Sequence, residues 1–285
     1  MSISTTNASE LTQDQVQTIL VKPLEAQSAF LSAGPVIFDT DGSPVRVPKA
    51  PGSVADSLTF VAENAQIPEA DPDFDEVQLL PSTMQSVKVI TRFSNELARQ
   101  SVVALDQVLK DRLVADVAMR IDAQLLGAAG DGVKTPKGLF AWTGTQSLTA
   151  GKSLTVDNIL EAQGLALSAN VNTEALTLFI RPEDYMELRK LKDADGRYLV
   201  QPDVQAGGLV APILGARVSV SKSVPAGKAA LVDMSQVAVA RDVAPAVALL
   251  DQTYADFDQQ AIRVVTRMDA GALNPEAVVK ISKTA

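Results

Sequence analysis

An α+β protein is the fold class this sequence predicts, and three observations predict it. From Ser94 to about Leu126, apolar side chains recur at Leu97, Val102, Leu105, Leu109, Leu113, Val117, Ile121 and Leu125, in steps mostly of four, which is helical spacing. Stretches such as "TMQSVKVITRF" at 83–93 and "VAPILGARVSVSKSVPAGKAALVDM" at 210–234 alternate apolar and polar residues, as half-buried strands do. Between these strand regions, helix and strand alternate over about 40 residues.

The elements follow in chain order. Residues 1–34 mix Ser, Thr, Asn and Gln with one amphipathic stretch, "LTQDQVQTILVKPL", and read as an extended arm carrying a short helix. From Gly34 to Leu80 short apolar runs, "PVIF", "VRVP", "SLTFVA" and "DEVQLL", are broken by Pro, Gly and Asp, which predicts hairpin strands with little core of their own. Such a segment needs a partner surface. Ser94 suits the N-cap of the long helix, Glu96 the positive end of its dipole and Gly127 its stop. About 32 residues at about 1.5 Å each make a rod of roughly 48 Å. Its periodicity fits equally a core helix covered by a sheet and a spine along which an elongated subunit is built. Beyond the loop "GAAGDGVKTPKGLFAWTG", a helix at about 157–170, the strand "ALTLFI" ending at Arg181-Pro182 and the helix "EDYMELRKL" are expected. Turns follow at Gly215 and at 225–227, and two more strands in "AIRVVTRMDAGALNPEAVVKIS".

Composition narrows the chemistry. With 46% hydrophobic residues the 285-residue chain has enough apolar side chains for a large core. It has no cysteine and no histidine, which removes disulfides, thiolate zinc sites, cysteine nucleophiles and every serine–histidine arrangement. Net charge is -9, so the surface as a whole does not attract nucleic-acid phosphates, although local basic patches remain open. The start lacks a cationic, then apolar, leader and no run of about 18 apolar residues occurs, so an intracellular, non-membrane product is expected.

Several short motifs resemble chemistry without completing it. In "LKDADGRYLVQP" at 191–202, Asp193, Asp195 and Gly196 suggest a calcium loop, but with Gly196 at the sixth position the closing glutamate falls on Pro202. A helix-ending turn is the better reading. "AGKS" at 150–153 lacks the earlier glycine of a phosphate loop, since Gln146 stands there. Ser219 and Lys222 have serine-x-x-lysine spacing without companion motifs. Asp111 and Asp116 read as ordinary helix-surface charges, and Trp142 as a side chain buried against a loop. No constellation argues for an enzyme, a metal or a cofactor.

Five segments occur in an order that resembles one family: "FVAENAQIPEADPDF" at 60–74, "LLGAAGDGVKTPKGLF" at 125–140, "LKDADGRYLVQP", "LGARVSVSKSVPAGKAALVDMS" at 214–235 and "FDQQAIRVVTRMDAGALNPEAVVKI" at 257–281. Together they resemble the major capsid proteins of tailed bacteriophages, with the Hong Kong 97 fold. The resemblance implies an N-terminal arm at 1–34, an extended loop at 35–81 and a peripheral domain at 82–149 with the long helix as its spine. An axial domain at 150–250 and peripheral return strands at 251–285 complete it. It implies a non-enzymatic shell protein, without cofactors, that self-assembles into pentamers and hexamers of an icosahedral shell around double-stranded DNA. The alternative is an encapsulin-type nanocompartment shell, with the same fold, enclosing cargo enzymes; a soluble enzyme of unknown class is the third reading.

The resemblance also implies partners. These are further copies of the chain, a portal, a decoration protein, and packaged DNA contacted weakly. The shell belongs to the virion and is assembled in the bacterial host cytoplasm. Family members that carry their own scaffold do so as a long N-terminal extension, whereas residues 1–34 alone precede the loop here, so a separate scaffolding protein is expected. The segment from Asp56 to Leu80 contains no lysine, which closes the isopeptide crosslinking that some family members make from this loop. It carries Asp56, Glu63, Glu69, Asp71, Asp73, Asp75 and Glu76 with no basic residue. The expected inter-subunit contacts are therefore Glu63, Glu69, Asp71 and Asp73, with apolar help from Phe60, Ile67 and Phe74, reaching Arg92, Arg99, Lys110 and Arg112 of a neighbour.

Overall fold

Residues 28–48, 60–61, 76–96, 105–169, 171–172, 175–192, 195–196, 198, 200, 210, 212–242, 246–250 and 252–284 are described by the computed structural model, the backbone alone at 105–110, 246–249 and 255. The periodic segment is a helix, α1 (Leu105–Leu125), which buries Leu113, Val114, Val117, Ala118, Ile121 and Leu125 along one stripe. Ser94 does act as a cap, its Oγ accepting the Glu96 N–H at 3.1 Å as helical backbone begins. The expected course through 97–104 lies outside the described residues. At the other end the Gly127 N–H donates to the Gln124 carbonyl at 3.3 Å, closing the helix where expected.

Three sheets pack around this helix and two shorter ones. The first is antiparallel, in the order β10 (Ala246–Leu250), β11 (Gln259–Thr266), β4 (Val87–Ser94). In β4, Lys88, Ile90 and Arg92 are exposed while Phe93 is buried, the alternation predicted for this strand. The second sheet is β1 (Val36–Thr40), β9 (Val237–Asp242), β12 (Met268–Ala272). The third has five strands in the order β5 (Gln146–Ala150), β13 (Val278–Lys283), β8 (Lys228–Asp233), β6 (Leu176–Ile180), β7 (Arg217–Val220).

Every residue of β6 is buried, as a continuous apolar run in a sheet covered on both faces should be. On one face Phe179, Ala230, Val232 and Val278 join α1, Leu139 and Trp142 in one apolar cluster. On the other, Leu178, Ile180, Leu231, Val279 and Ile281 pack with α2 (Val156–Ser168) and α3 (Pro182–Arg189). α2 opens with a reciprocal cap between Thr155 and Asn158. α3 has Pro182 in its first turn and Arg189 in its last, matching the dipole.

Two readings change. "PVIF" does not pair into a hairpin with its neighbours; as β1 it lies parallel to β9, Val36 opposite Ala238. The 257–281 stretch supplies three strands rather than two, because at Arg267 the chain leaves the first sheet and runs on as β12 beside β9, and β13 then joins the five-stranded sheet. The turns at Gly215 and 225–227 stand as expected, with Ile213 bridging Ala216 and the Lys228 N–H donating to the Pro225 carbonyl. In the described part of "LKDADGRYL", after α3, Gly196 adopts φ +80° and Tyr198 bridges to Lys192, whose Nζ sits 4.7 Å from the Tyr198 ring centroid; residues 193, 194, 197 and 199 lie outside the described residues.

Candidate functional site

The region expected to reach other subunits begins at a small antiparallel pair, β2 (Val45–Pro48) and β3 (Glu76–Leu79). Its alternation puts Val47 and Leu79 inward, where they pack with Leu80, Met84, Ala238 and Ala240. Outward, Arg46 pairs with Glu76 at 3.3 Å. Close packing beneath the pair depends on Gly271, since a Cβ there would stand 3.0 Å from Leu79 and 3.1 Å from Val77.

After β3 the chain turns sharply at Leu80, which is fully buried yet has φ +53°. A branched residue there carries about 1–3 kcal/mol of backbone strain and persists where its surroundings fix it. They do fix it. Buried Asp269 accepts the Leu80 N–H at 3.1 Å and the Ala270 N–H at 2.9 Å, and Arg267 donates to the Pro81 carbonyl at 2.7 Å. Burial pushes the Asp269 carboxyl above the usual carboxylate range, against these hydrogen bonds and the Arg267 charge.

A second buried carboxylate holds the chain on the N-terminal side. Asp122 on α1 accepts the Ser28 hydroxyl at 2.6 Å, the Ala29 N–H at 2.8 Å and the Phe30 N–H at 3.2 Å. Burial raises its pKa, and the three hydrogen bonds oppose that rise. Phe30 then stacks on Phe179 with centroids 5.9 Å apart, and Ser219 Oγ donates to the Ala29 carbonyl. The segment entering the described fold is thus bolted to α1, β6 and β7 together.

The sheet of β10, β11 and β4 carries positive charge on its exposed face. Ile90, about half exposed, is opposite Arg263 and flanked along β4 by Lys88 and Arg92. Across the register the remaining residues of this face are Ala246, Ala248, Leu250, Ala261 and Val265, none of them acidic. Tyr254 lies under the Arg92 guanidinium, 4.1 Å from centroid to Cζ, which orients it without neutralising it. Lys88 and Arg263 were missed from sequence; the alternation already placed Lys88 beside Arg92, whereas only the strand register brings in Arg263. Arg112 pairs instead with Asp116 one turn on, at 3.2 Å. The Lys110 backbone lies within α1, and Arg99, Glu63, Ile67, Glu69, Asp71, Asp73 and Phe74 lie outside the described residues. Phe60 is described and fully exposed.

The incomplete chemical motifs dissolve structurally. Lys152 is exposed in a turn, the Ser219 hydroxyl serves the Ala29 carbonyl, and the Trp142 ring is buried with Nε1 donating to the Lys137 carbonyl at 2.9 Å. Among the described residues no three carboxylates cluster as metal ligands. No described helix is long and apolar enough to cross a membrane.

Comparison with known proteins gives one direction throughout. Residues 9–283 match the family model described as the phage capsid family. A major capsid protein of Halomonas phage phiHAP-1 is 26% identical over 117 residues, 41% of this chain, and the match spans 19% of that relative's length. Among solved structures, the capsid of a native GTA particle superposes with a TM-score of 0.68 at 19% identity, covering 90% of each chain. Mycobacterium phage Cain gives 0.68 at 17% identity over 90% of each chain, and Gordonia phage Cozz 0.67 at 15% over 91% of this chain and 87% of that one. At such identities the likeness is one of fold, and the fold is the α+β Hong Kong 97 type expected from the sequence.

Proposed function

The chain belongs to the phage capsid family, and from that membership we propose that it is the major capsid protein of a tailed phage, building the pentamers and hexamers of an icosahedral shell around double-stranded DNA. The observation that carries this reading beyond the family is the β2–β3 pair. It roots a 27-residue connection, 49–75, in the body of the chain with a mere patch of apolar contacts beneath it. That connection includes fully exposed Phe60, and its sequence from Asp56 to Asp75 carries six carboxylates with no lysine or arginine among them. A neighbour's exposed Lys88, Arg92 and Arg263, with Ile90 among them, offers the complementary charge and an apolar contact. The inter-subunit residues are therefore Glu63, Ile67, Glu69, Asp71, Asp73 and Phe74 on one copy and Arg92, joined by Lys88 and Arg263, on the next; Arg99, Lys110 and Arg112 extend the basic surface.

The role is structural rather than catalytic, and the contact noncovalent. Assembly in the bacterial cytoplasm with a separate scaffolding protein, a portal and a decoration protein, and with packaged DNA touched at few local points, belongs to the same proposal. Negative-stain microscopy of purified particles tests it. DNA-filled shells whose formation is lost in Lys88→Glu/Arg263→Glu are expected. Small particles filled with protein cargo, or a monomer indifferent to both substitutions, would overturn it.

A further inference from the structure

The five-stranded sheet gathers lysines where it meets the short 3-10 turn Leu139–Ala141. β8 and β13 are antiparallel, with Lys228 opposite Ser282 and Ala230 opposite Lys280. Opposed residues share a face, so Lys228 and Lys280 are diagonal neighbours, about 7–8 Å apart at the backbone. β5 runs along the other side of β13, with Ser147 opposite Lys280 and Thr149 opposite Ser282, and adds their hydroxyls to the same face.

The turn brings the third lysine and fixes the cluster. Trp142 Nε1 donates to the Lys137 carbonyl at 2.9 Å, Lys280 Nζ donates to the Trp142 carbonyl at 2.6 Å, and Lys228 Nζ stands 5.8 Å from the Phe140 ring centroid. All three lysines are half-buried. Among the described residues none of them pairs with a carboxylate. Burial, and then the charges of Lys228 and Lys137, push the Lys280 ammonium below the usual lysine range. Lys228 and Lys280 thus share this face with three hydroxyls, beside the turn that Lys137 leads into, and among the described residues the bond from Lys280 Nζ to the Trp142 carbonyl is the one donor of the set already spent. A tetrahedral oxyanion matches them better than a carboxylate does, because it brings more acceptor oxygens and up to two negative charges.

We propose that Lys137, Lys228 and Lys280, with Ser147, Thr149 and Ser282, form a phosphate-binding site. The phosphate is either free inorganic phosphate or a phosphodiester of nucleic acid, which present the same oxygens. The site goes beyond the shell reading and operates in the unassembled subunit.

Titration of unassembled subunits with inorganic phosphate at low ionic strength, followed by the emission of Trp142, tests it; this is the chain's single tryptophan, tied to Lys280 through its carbonyl. A saturable change is expected. The double variant Lys137→Met/Lys228→Met keeps the Lys280–Trp142 bond and should weaken the apparent affinity by about tenfold or more, and added chloride should weaken it by screening. A short DNA duplex that displaces phosphate assigns the site to nucleic-acid backbone, and one that does not assigns it to free phosphate; either result upholds the site. Absence of a saturable response, or an affinity unchanged in the double variant, overturns it. Should circular dichroism show the double variant unfolded, Ser147→Asp, which sets a carboxylate against Lys280 on an exposed strand position, must abolish phosphate binding instead. Because free subunits are measured, failure here is separable from failure to form shells.

Discussion

The five-stranded sheet and the root of the 49–75 connection are held by different physics. The sheet is sandwiched between two apolar clusters, and its central strands are buried nearly end to end, so its stability is spread over area. The root has six buried apolar residues, strained Leu80 among them, and depends on a few directed bonds from Asp269 and Arg267. Burial defines a body, whereas hydrogen bonds to backbone define the direction in which a projecting segment leaves it. For a subunit that must reach its neighbours, direction is the property that matters at the root.

The largest effect should come from the sheet. Phe179 is fully buried in β6 and stacked on Phe30, so Phe179→Ala should cost about 3–5 kcal/mol, through lost burial and the cavity left behind. Urea unfolding of the unassembled subunit measures it. A loss no larger than that of a root variant would erase the distinction between the two regions.

Next comes the root itself. Asp269→Ala leaves the buried Leu80 N–H without its acceptor, at about 1–3 kcal/mol, and should open the 76–84 segment to limited proteolysis before the sheet unfolds. Its pH dependence carries a definite sign. Burial raises the folded pKa above the ordinary 3.8, so folding takes up a proton and the stabilising contribution is fully present below 3.8 and lost as pH rises through the folded value. Asp269→Asn keeps one acceptor and cannot ionise. The wild type's advantage over it should therefore be greatest at the acid end and shrink as pH rises through that window; an advantage that grows would reverse the assignment. Asp122, raised by burial in the same way, should behave likewise at the Ser28–Phe30 segment.

What was legible in the sequence divides along the same line. α1, α2, α3 and β6 were visible because each carries its own periodicity or apolar run. The pairing of β1 with β9 was not, since Asp39 and Arg241 meet from 202 positions apart and no local pattern announces a parallel partner. Of the basic candidates, Arg92 stands on an exposed strand face as the alternation implied, but its partner Tyr254 comes from the turn before β11 and its neighbour Arg263 from the strand register, neither of which a local pattern announces. Asp269 and Asp122 were missed although each is an acid set among apolar residues of a strand or helix, which is the signal a buried anchor leaves. The lysine cluster gave no such signal, because its members come from a loop and two strands.

The smallest effect sharpens the comparison at the exposed end. Arg112 and Asp116 form an i,i+4 pair with side chains 72% and 45% exposed, in the less favourable order with the base N-terminal. Solvent screening leaves such a pair about 0.2–0.5 kcal/mol, so Arg112→Ala should barely move the unfolding midpoint of the free subunit. Asp116→Ala should move it as little, while releasing Arg112 from its partner within the chain. If Arg112 contributes to the basic surface that meets the acidic connection of a neighbour, the two variants must part company in assembly. Particle yield should fall with Arg112→Ala and hold or rise with Asp116→Ala, the more so at low ionic strength, where exposed charges act over a longer range. Equal yields from both would confine Arg112 to its own helix and leave the neighbour's carboxylates to Lys88, Arg92 and Arg263.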